Sequence, residues 1–184
     1  MSEFLTVGLN GLTLAALYFV VASGFTLIFG LMRTTNMAHG ALYLLGAYLG
    51  YSVADATGNW WLGVVVGFTA VGFVGLIIYL VFLRWMPGQE LREALVTIGL
   101  SIIIADLLLA HYGGATYQFT PPSVISGSTA IPFVINGTYP TYRLFLLVVA
   151  VAVGVGLWLL LNRSRVGLYI RAGIDDRGML SALG

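Results

Sequence analysis

From Phe4 to Met32 the chain runs without a single charged side chain. No other feature restricts its folding as strongly. As a helix, Leu5–Met32 would be about 28 residues and about 42 Å long at 1.5 Å per residue. The hydrocarbon core of a bilayer is only about 30 Å thick, so such a segment tilts, kinks or projects. Ser23–Gly24 is where a kink is expected. The pattern then recurs: spans are predicted over about 5–32, 36–53, 60–83, 93–112 and 142–161. Only 8% of the 184 residues are charged and 59% are hydrophobic, whereas a soluble domain carries about a quarter charged residues. The predicted fold is an all-α polytopic transmembrane helical bundle of about five spans, a single domain over 1–184, embedded in a lipid bilayer.

Several function classes are excluded by residues the chain lacks. It has no cysteine, hence no disulfide framework and no thiolate chemistry. All its cations are arginine, so a Walker A phosphate loop, which needs a lysine, is absent. Any ATP-driven work requires an ATPase on another chain. The two histidines, His39 and His111, are too dispersed for a catalytic triad or a metal-ligand set, so no catalytic residue, metal or cofactor is expected. No basic cluster suits a nucleic acid. Glu3 and the long apolar run do not match a signal peptide.

Between the first two predicted spans lies a polar knot, Arg33-Thr-Thr-Asn-Met-Ala-His39. Polar residues between lipid-soluble segments are costly unless they sit at a membrane face or line a wet cavity. Asn36 is a suitable N-cap for a helix starting at Met37, whose positive end could meet an anionic part of a solute. A capped hairpin turn is the plainer alternative. Asn36, His39 and Gly40 are therefore candidate translocation-path residues, together with Thr97 and Asp106 from the fourth span. That span carries Thr97, Gly99, Ser101 and Asp106 and is expected to face the bundle interior. Glu93 is read as a favourable acid near the positive end of its helix. Asp106, about 20 Å further along, either lines a path or pairs with Arg143. Asn10 and Thr13 either bridge helices or face solute. Gly46/Gly50 and Gly63/Gly67 are small-xxx-small pairs that permit close helix approach. Trp60 and Trp61 at one end of the third span, and Arg84-Trp85 at the other, suit interfacial anchors. Residues 113–140, rich in Gly, Pro, Ser and Thr, form a long connection outside the hydrocarbon.

Orientation follows from the arginines. With five spans, Arg33, Arg84, Arg92, Arg163, Arg165, Arg171 and Arg177 share one side and only Arg143 lies on the other. The positive-inside rule makes the first side cytoplasmic, with the N-terminus outside. The tail after Leu161 combines four arginines with Leu168, Ile170, Met179, Leu180 and Leu183. Asp175 is placed to cap a short helix beginning at Asp176, with Ile174 and Met179 as a hydrophobic staple. So apolar a segment suits docking into a partner's groove.

The stretch Gly30-Leu-Met-Arg-Thr-Thr-Asn-Met-Ala-His-Gly-Ala-Leu-Tyr-Leu-Leu-Gly-Ala-Tyr48, together with Asn10–Gly30 before it, resembles the N-terminal signature of branched-chain amino-acid ABC transporter permeases. Leu95–Ser101 is similar to that family's fourth-segment pattern. Gly167-Leu-Tyr-Ile-Arg-Ala-Gly-Ile-Asp-Asp-Arg-Gly-Met-Leu-Ser-Ala-Leu-Gly184 resembles its cytoplasmic coupling loop. The resemblance implies an inner-membrane permease subunit of an importer. Its partners would be a periplasmic solute-binding protein, a second permease subunit and ATP-binding ABC subunits. It assigns a coupling loop to 162–184, with Gly167, Arg171, Ala172, Asp176 and Gly184 as ATPase-coupling positions. It makes Asn36, Ala38, His39 and Gly40 signature residues. Family members continue beyond the coupling loop, so the sequence is expected to be an N-terminal portion. Rival readings are a urea or short-amide importer of the same family, a stand-alone secondary transporter or channel, and a membrane scaffold.

Overall fold

The computed structural model describes residues 2–32, 35–114, 116–118, 120–131, 137–165 and 167–168. Among the described residues the α-helices are α1 (Ser2–Met32), α2 (His39–Thr57), α3 (Trp60–Val81), α4 (Glu90–Tyr112) and α5 (Thr141–Arg163). Four of them, α1, α3, α4 and α5, are long and apolar enough to cross a membrane. The fifth, α2, has 19 residues and carries Ser52, Asp55 and Thr57 near its end. The architecture is an all-α polytopic bundle with one small β-hairpin. Contacts divide it into two compact units, Met32–Thr120 and Met1–Leu31 with Pro121–Gly184.

In the first of these, α2 and α3 form a tight helical hairpin. Its turn needs only two residues. Gly58 takes the left-handed conformation (φ 68°) and donates its N–H to Ala54 O at 2.8 Å, which closes α2. Asn59 then caps α3, its Oδ1 accepting from Leu62 N at 3.2 Å. Loss of such a cap costs about 1 kcal/mol. Asn59→Ala should lower the unfolding free energy by about that amount, and Asn59→Asp should largely retain it, as read by thermal unfolding in detergent.

The two helices touch through their glycines. A Cβ on Gly50 would lie 3.0 Å from Gly63 O, and one on Gly67 2.7 Å from Gly46 O. The two small-xxx-small pairs are thus each other's partners. Beside this seam, Leu42, Ile78 and Leu83 form the buried core, with Leu45, Val71, Val74, Leu100 and Ile104 packed on it. Leu100 and Ile104 bring in α4. At the C-terminal end of α4, Tyr112 stacks on Tyr48 (centroids 4.4 Å apart) and its hydroxyl lies 2.7 Å from Ser52 Oγ. Tyr117 packs edge-on against both rings and donates to Tyr112 O at 2.8 Å. His111 sits edge-on to Tyr112. Arg84 lies over the Trp85 ring, with Cζ 4.4 Å from the centroid.

In the other unit, α1 stays helical through Ser23–Gly24, with Ser23 Oγ bonded back to Val20 O. Within the 113–140 connection, Ser128–Ala130 and Thr138–Pro140 pair as an antiparallel hairpin, with Thr129 opposite Tyr139. Tyr139 anchors this hairpin on α1: it is buried, and its hydroxyl donates to Asn10 Oδ1 at 3.2 Å and lies 3.1 Å from Thr13 Oγ1. Arg143, in the first turn of α5, also donates to Asn10 Oδ1. Asn10 and Thr13 are therefore bridging residues. Gly154 of α5 lets the Phe19 ring approach within van der Waals distance.

Candidate functional site

The polar knot and α4 meet at Thr97. This threonine lies on the buried stripe of α4 formed by Glu93, Thr97, Leu100, Ile104 and Leu108, spaced by three and four residues. It is 0% exposed. Its Oγ1 accepts the Met37 N–H at 3.0 Å. Three carbonyl oxygens compete for its single proton: Glu93 at 2.8 Å, Ala94 at 3.1 Å and Thr35 at 3.2 Å. One hydroxyl thus fastens the backbone of the turn before α2 to the start of α4.

The local start of α2 differs from the sequence expectation. Asn36 does not cap a helix beginning at Met37: α2 begins at His39, and its N-cap is Ala38. Asn36 Oδ1 instead accepts from Ala38 N at 3.0 Å, closing a turn of its own, and His39 N reaches Asn36 O at 3.4 Å. The physical reason is competition. An asparagine side chain readily bonds the backbone two residues on, and Thr97 already takes the Met37 N–H. The helix therefore starts two residues later. Asn36 and Ala38 are buried, His39 is half-buried and Gly40 is exposed in the first turn of α2.

Glu93 is the residue whose role the sequence reading missed. It is 1% exposed, and neither carboxylate oxygen has a hydrogen-bond partner among the described residues. Of the described arginines of this unit, Arg84 lies on Trp85 and Arg92 donates to Gln89 Oε1 at 3.3 Å. Buried polar groups are ordinarily hydrogen-bonded, so this carboxyl is an anomaly beside the turn. Its signature was present: position 93 is one turn before Thr97 on the same stripe, and an acid there is carried inward.

Asp106 lies elsewhere on α4. At 100° per residue it is nearly opposite the buried stripe, on a face with Leu95, Ile102 and Leu109, all exposed. An aspartate within a span costs about 2.5–3.5 kcal/mol at mid-membrane if left in lipid. The structure therefore brings Asn36, Thr97 and the start of α2 together and leaves Asp106 on a separate face.

Of the expected ATPase-coupling positions, Gly167 is described. It is buried, its N–H is donated to Ser164 Oγ at 3.0 Å, and a Cβ there would collide with the carbonyl oxygens of Leu160 and Leu161. Only glycine lets the chain lie so close to the end of α5. Arg171, Ala172, Asp176 and Gly184 lie outside the described residues, as do Ile174, Asp175 and Met179 with their expected cap and staple. Among the described residues, no group of three or more His, Asp or Glu could hold a metal ion.

Long apolar helices, with a polar turn fastened to the start of α4, define a polytopic membrane protein. A family model described as "Branched-chain amino acid transport system / permease component" matches residues 8–184, and the chain belongs to this family. It is 26% identical over 195 residues to the high-affinity branched-chain amino acid transport system permease protein LivH of Escherichia coli K12, covering 98% of this chain and 62% of LivH. It is 26% identical over 189 residues to the corresponding permease protein BraD of Pseudomonas aeruginosa, covering 95% of this chain and 60% of BraD. The chain thus spans about three-fifths of the length of these relatives. No solved structure matches it.

Proposed function

We propose that this chain supplies membrane-spanning helices of a permease subunit in an ATP-driven importer of branched-chain amino acids. The observation that carries the reading is the family match over residues 8–184, supported by relatives whose names specify branched-chain amino-acid transport. The subunit sits in the inner membrane with its N-terminus outside and its coupling loop in the cytoplasm. It works beside a second permease subunit, receives solute from a periplasmic binding protein and is driven by separate ATP-binding subunits. ATP hydrolysis belongs to those partners, since this chain offers no lysine for a phosphate loop.

In this reading the turn at Asn36, His39 and Gly40, held by Thr97, forms the inner part of the translocation path, and Asp106 lies further out. Residues 162–184 form the coupling loop, with Gly167, Arg171, Ala172, Asp176 and Gly184 at the ATPase contact. Gly167 favours this assignment because it lets the chain turn against the end of α5 where a loop must begin. Arg171 supplies charge-assisted hydrogen bonds, each worth roughly 1.5–3 kcal/mol, where 1.4 kcal/mol is about tenfold in affinity. Arg171→Ala in the full-length permease should therefore weaken ATPase association by at least about tenfold and lower uptake, with membrane insertion intact. Normal uptake with an unchanged ATPase complex would overturn the coupling assignment.

A further inference from the structure

We infer that the turn before α2 is a releasable strap, held on α4 by Thr97 and driven off it by the buried carboxyl of Glu93. The release is a property of the fold. The importer reading makes it the movement that opens the inner part of the path, and only that role rests on the reading. Three observations carry the inference. Among the described residues, two hydrogen bonds tie residues 35–38 to α4, and both use the Thr97 hydroxyl. The second is only a share: the Thr35 carbonyl, at 3.2 Å, competes for one proton with the nearer carbonyls of Glu93 and Ala94. The turn also holds itself together without α4, because Ala38 N and His39 N both donate to Asn36 within it. Finally, Glu93 is 1% exposed, with neither carboxylate oxygen bonded among the described residues. It lies one helical turn, about 5 Å, before Thr97 on the same stripe, on the side of α4 to which the turn is tied.

The two side chains act in opposite senses. A carboxyl buried without a partner forfeits the hydrogen bonds that water would supply, and it loses more than an ordinary unmet polar group does. That penalty lasts while the turn lies closed. Lifting the turn lets water reach the carboxyl and removes the penalty. It gives up the Met37 bond to Thr97 and the shared bond to Thr35, and water replaces both. A helix start built only for packing would carry an apolar residue at 93, as Leu100 and Ile104 are further along the same stripe. One hydroxyl as the fastening and one unmet carboxyl opposing it leave the strap poised to open.

Amide hydrogen exchange of the full-length permease in detergent reads the opening without any need for transport. Glu93→Met keeps the length of the side chain and removes the carboxyl. The Met37 and Ala38 amides should then exchange at least about tenfold more slowly, equivalent to about 1.4 kcal/mol, with amides in the middle of α3 unchanged. Glu93→Gln retains an unmet polar group and should slow them by less. Glu93→Met combined with Thr97→Val should give a rate between those of the two single variants, because one removes the opposing group and the other the fastening. Unchanged or faster exchange at Met37 and Ala38 in Glu93→Met would overturn the inference, since the carboxyl would then be idle or would hold the turn down. Should Glu93→Met unfold, Glu93→Gln decides by the same criterion. The gating role is read from radiolabelled L-leucine uptake in vesicles holding the permease with its ATPase and binding protein. Glu93→Met should lower the maximal rate severalfold with assembly intact, and slowed exchange with wild-type uptake would remove the gating role. Absence of ATP-dependent leucine uptake in the unmutated assembly would sink the importer reading and leave the exchange result standing.

Discussion

Replacing Gly63 with leucine is expected to pull α2 away from α3 and to remove most of the stability of the 32–120 unit. At Gly63 even a methyl group has nowhere to go: a Cβ would lie 2.5 Å from Gly50 O and 2.8 Å from the Ala54 Cβ. Neither obstacle is a flexible side-chain tip that swings aside. The helices must separate, and the core of Leu42, Ile78 and Leu83 beside the seam opens with them. Overpacking costs typically 1–3 kcal/mol and more where backbone must move, so Gly63→Leu should cost upwards of about 3 kcal/mol. Gly63→Ala should cost somewhat less. At Gly72 and Gly75, on the same helix, an added Cβ would meet nothing within 4 Å. Alanine at either should be neutral or stabilising by up to about 1 kcal/mol, the difference in helix propensity. Thermal unfolding in detergent measures all four. Equal melting temperatures for Gly63→Leu and Gly72→Ala would mean that the α2–α3 seam contributes nothing.

This contrast also marks what the sequence could convey. The spacing of Gly46, Gly50, Gly63 and Gly67 announces two close approaches, because small residues four apart on a helix admit another backbone. It does not say that each pair is the other's partner. That follows from the two-residue turn at Gly58–Asn59, which forces α2 and α3 to be antiparallel neighbours. The helices themselves are legible because long uncharged runs leave the backbone no other way to satisfy its hydrogen bonds in lipid.

The polar details are less legible, for a different reason. Asn36 has two good local options, capping a helix or bonding its own turn, and the choice is made by Thr97, sixty residues beyond Met37. Glu93 suits the helix dipole as well as it suits burial. A first-turn acid and a buried acid share the same sequence position, and only the stripe through Thr97, Leu100 and Ile104 separates the two. The hairpin at Ser128–Ala130 and Thr138–Pro140 reads as loop because strands of three residues carry no readable alternation.

Thr97→Val should release the turn before α2 while leaving α4 in place. Valine matches threonine in shape, so the packing of this fully buried site is kept and only the hydroxyl is lost. The Met37 N–H then has no acceptor at Thr97, and the Thr35 carbonyl loses a donor. Leaving a buried donor unmet costs roughly 1–3 kcal/mol, equivalent to a factor between about fivefold and a hundredfold in the equilibrium for opening the turn. Amide hydrogen exchange reads this directly: the amides of Met37 and Ala38 should exchange faster by that factor, whereas those in the middle of α4 should not change. Thr97→Ser keeps the hydroxyl and should restore slow exchange, although loss of the methyl leaves a small void. If the hydroxyl matters to the path through its hold on Asn36 and His39, leucine uptake in the assembled transporter should fall in Thr97→Val and recover in Thr97→Ser. Unchanged exchange at Met37 in Thr97→Val would mean that the turn is held by other contacts, and that the Thr97 hydroxyl serves α4 alone.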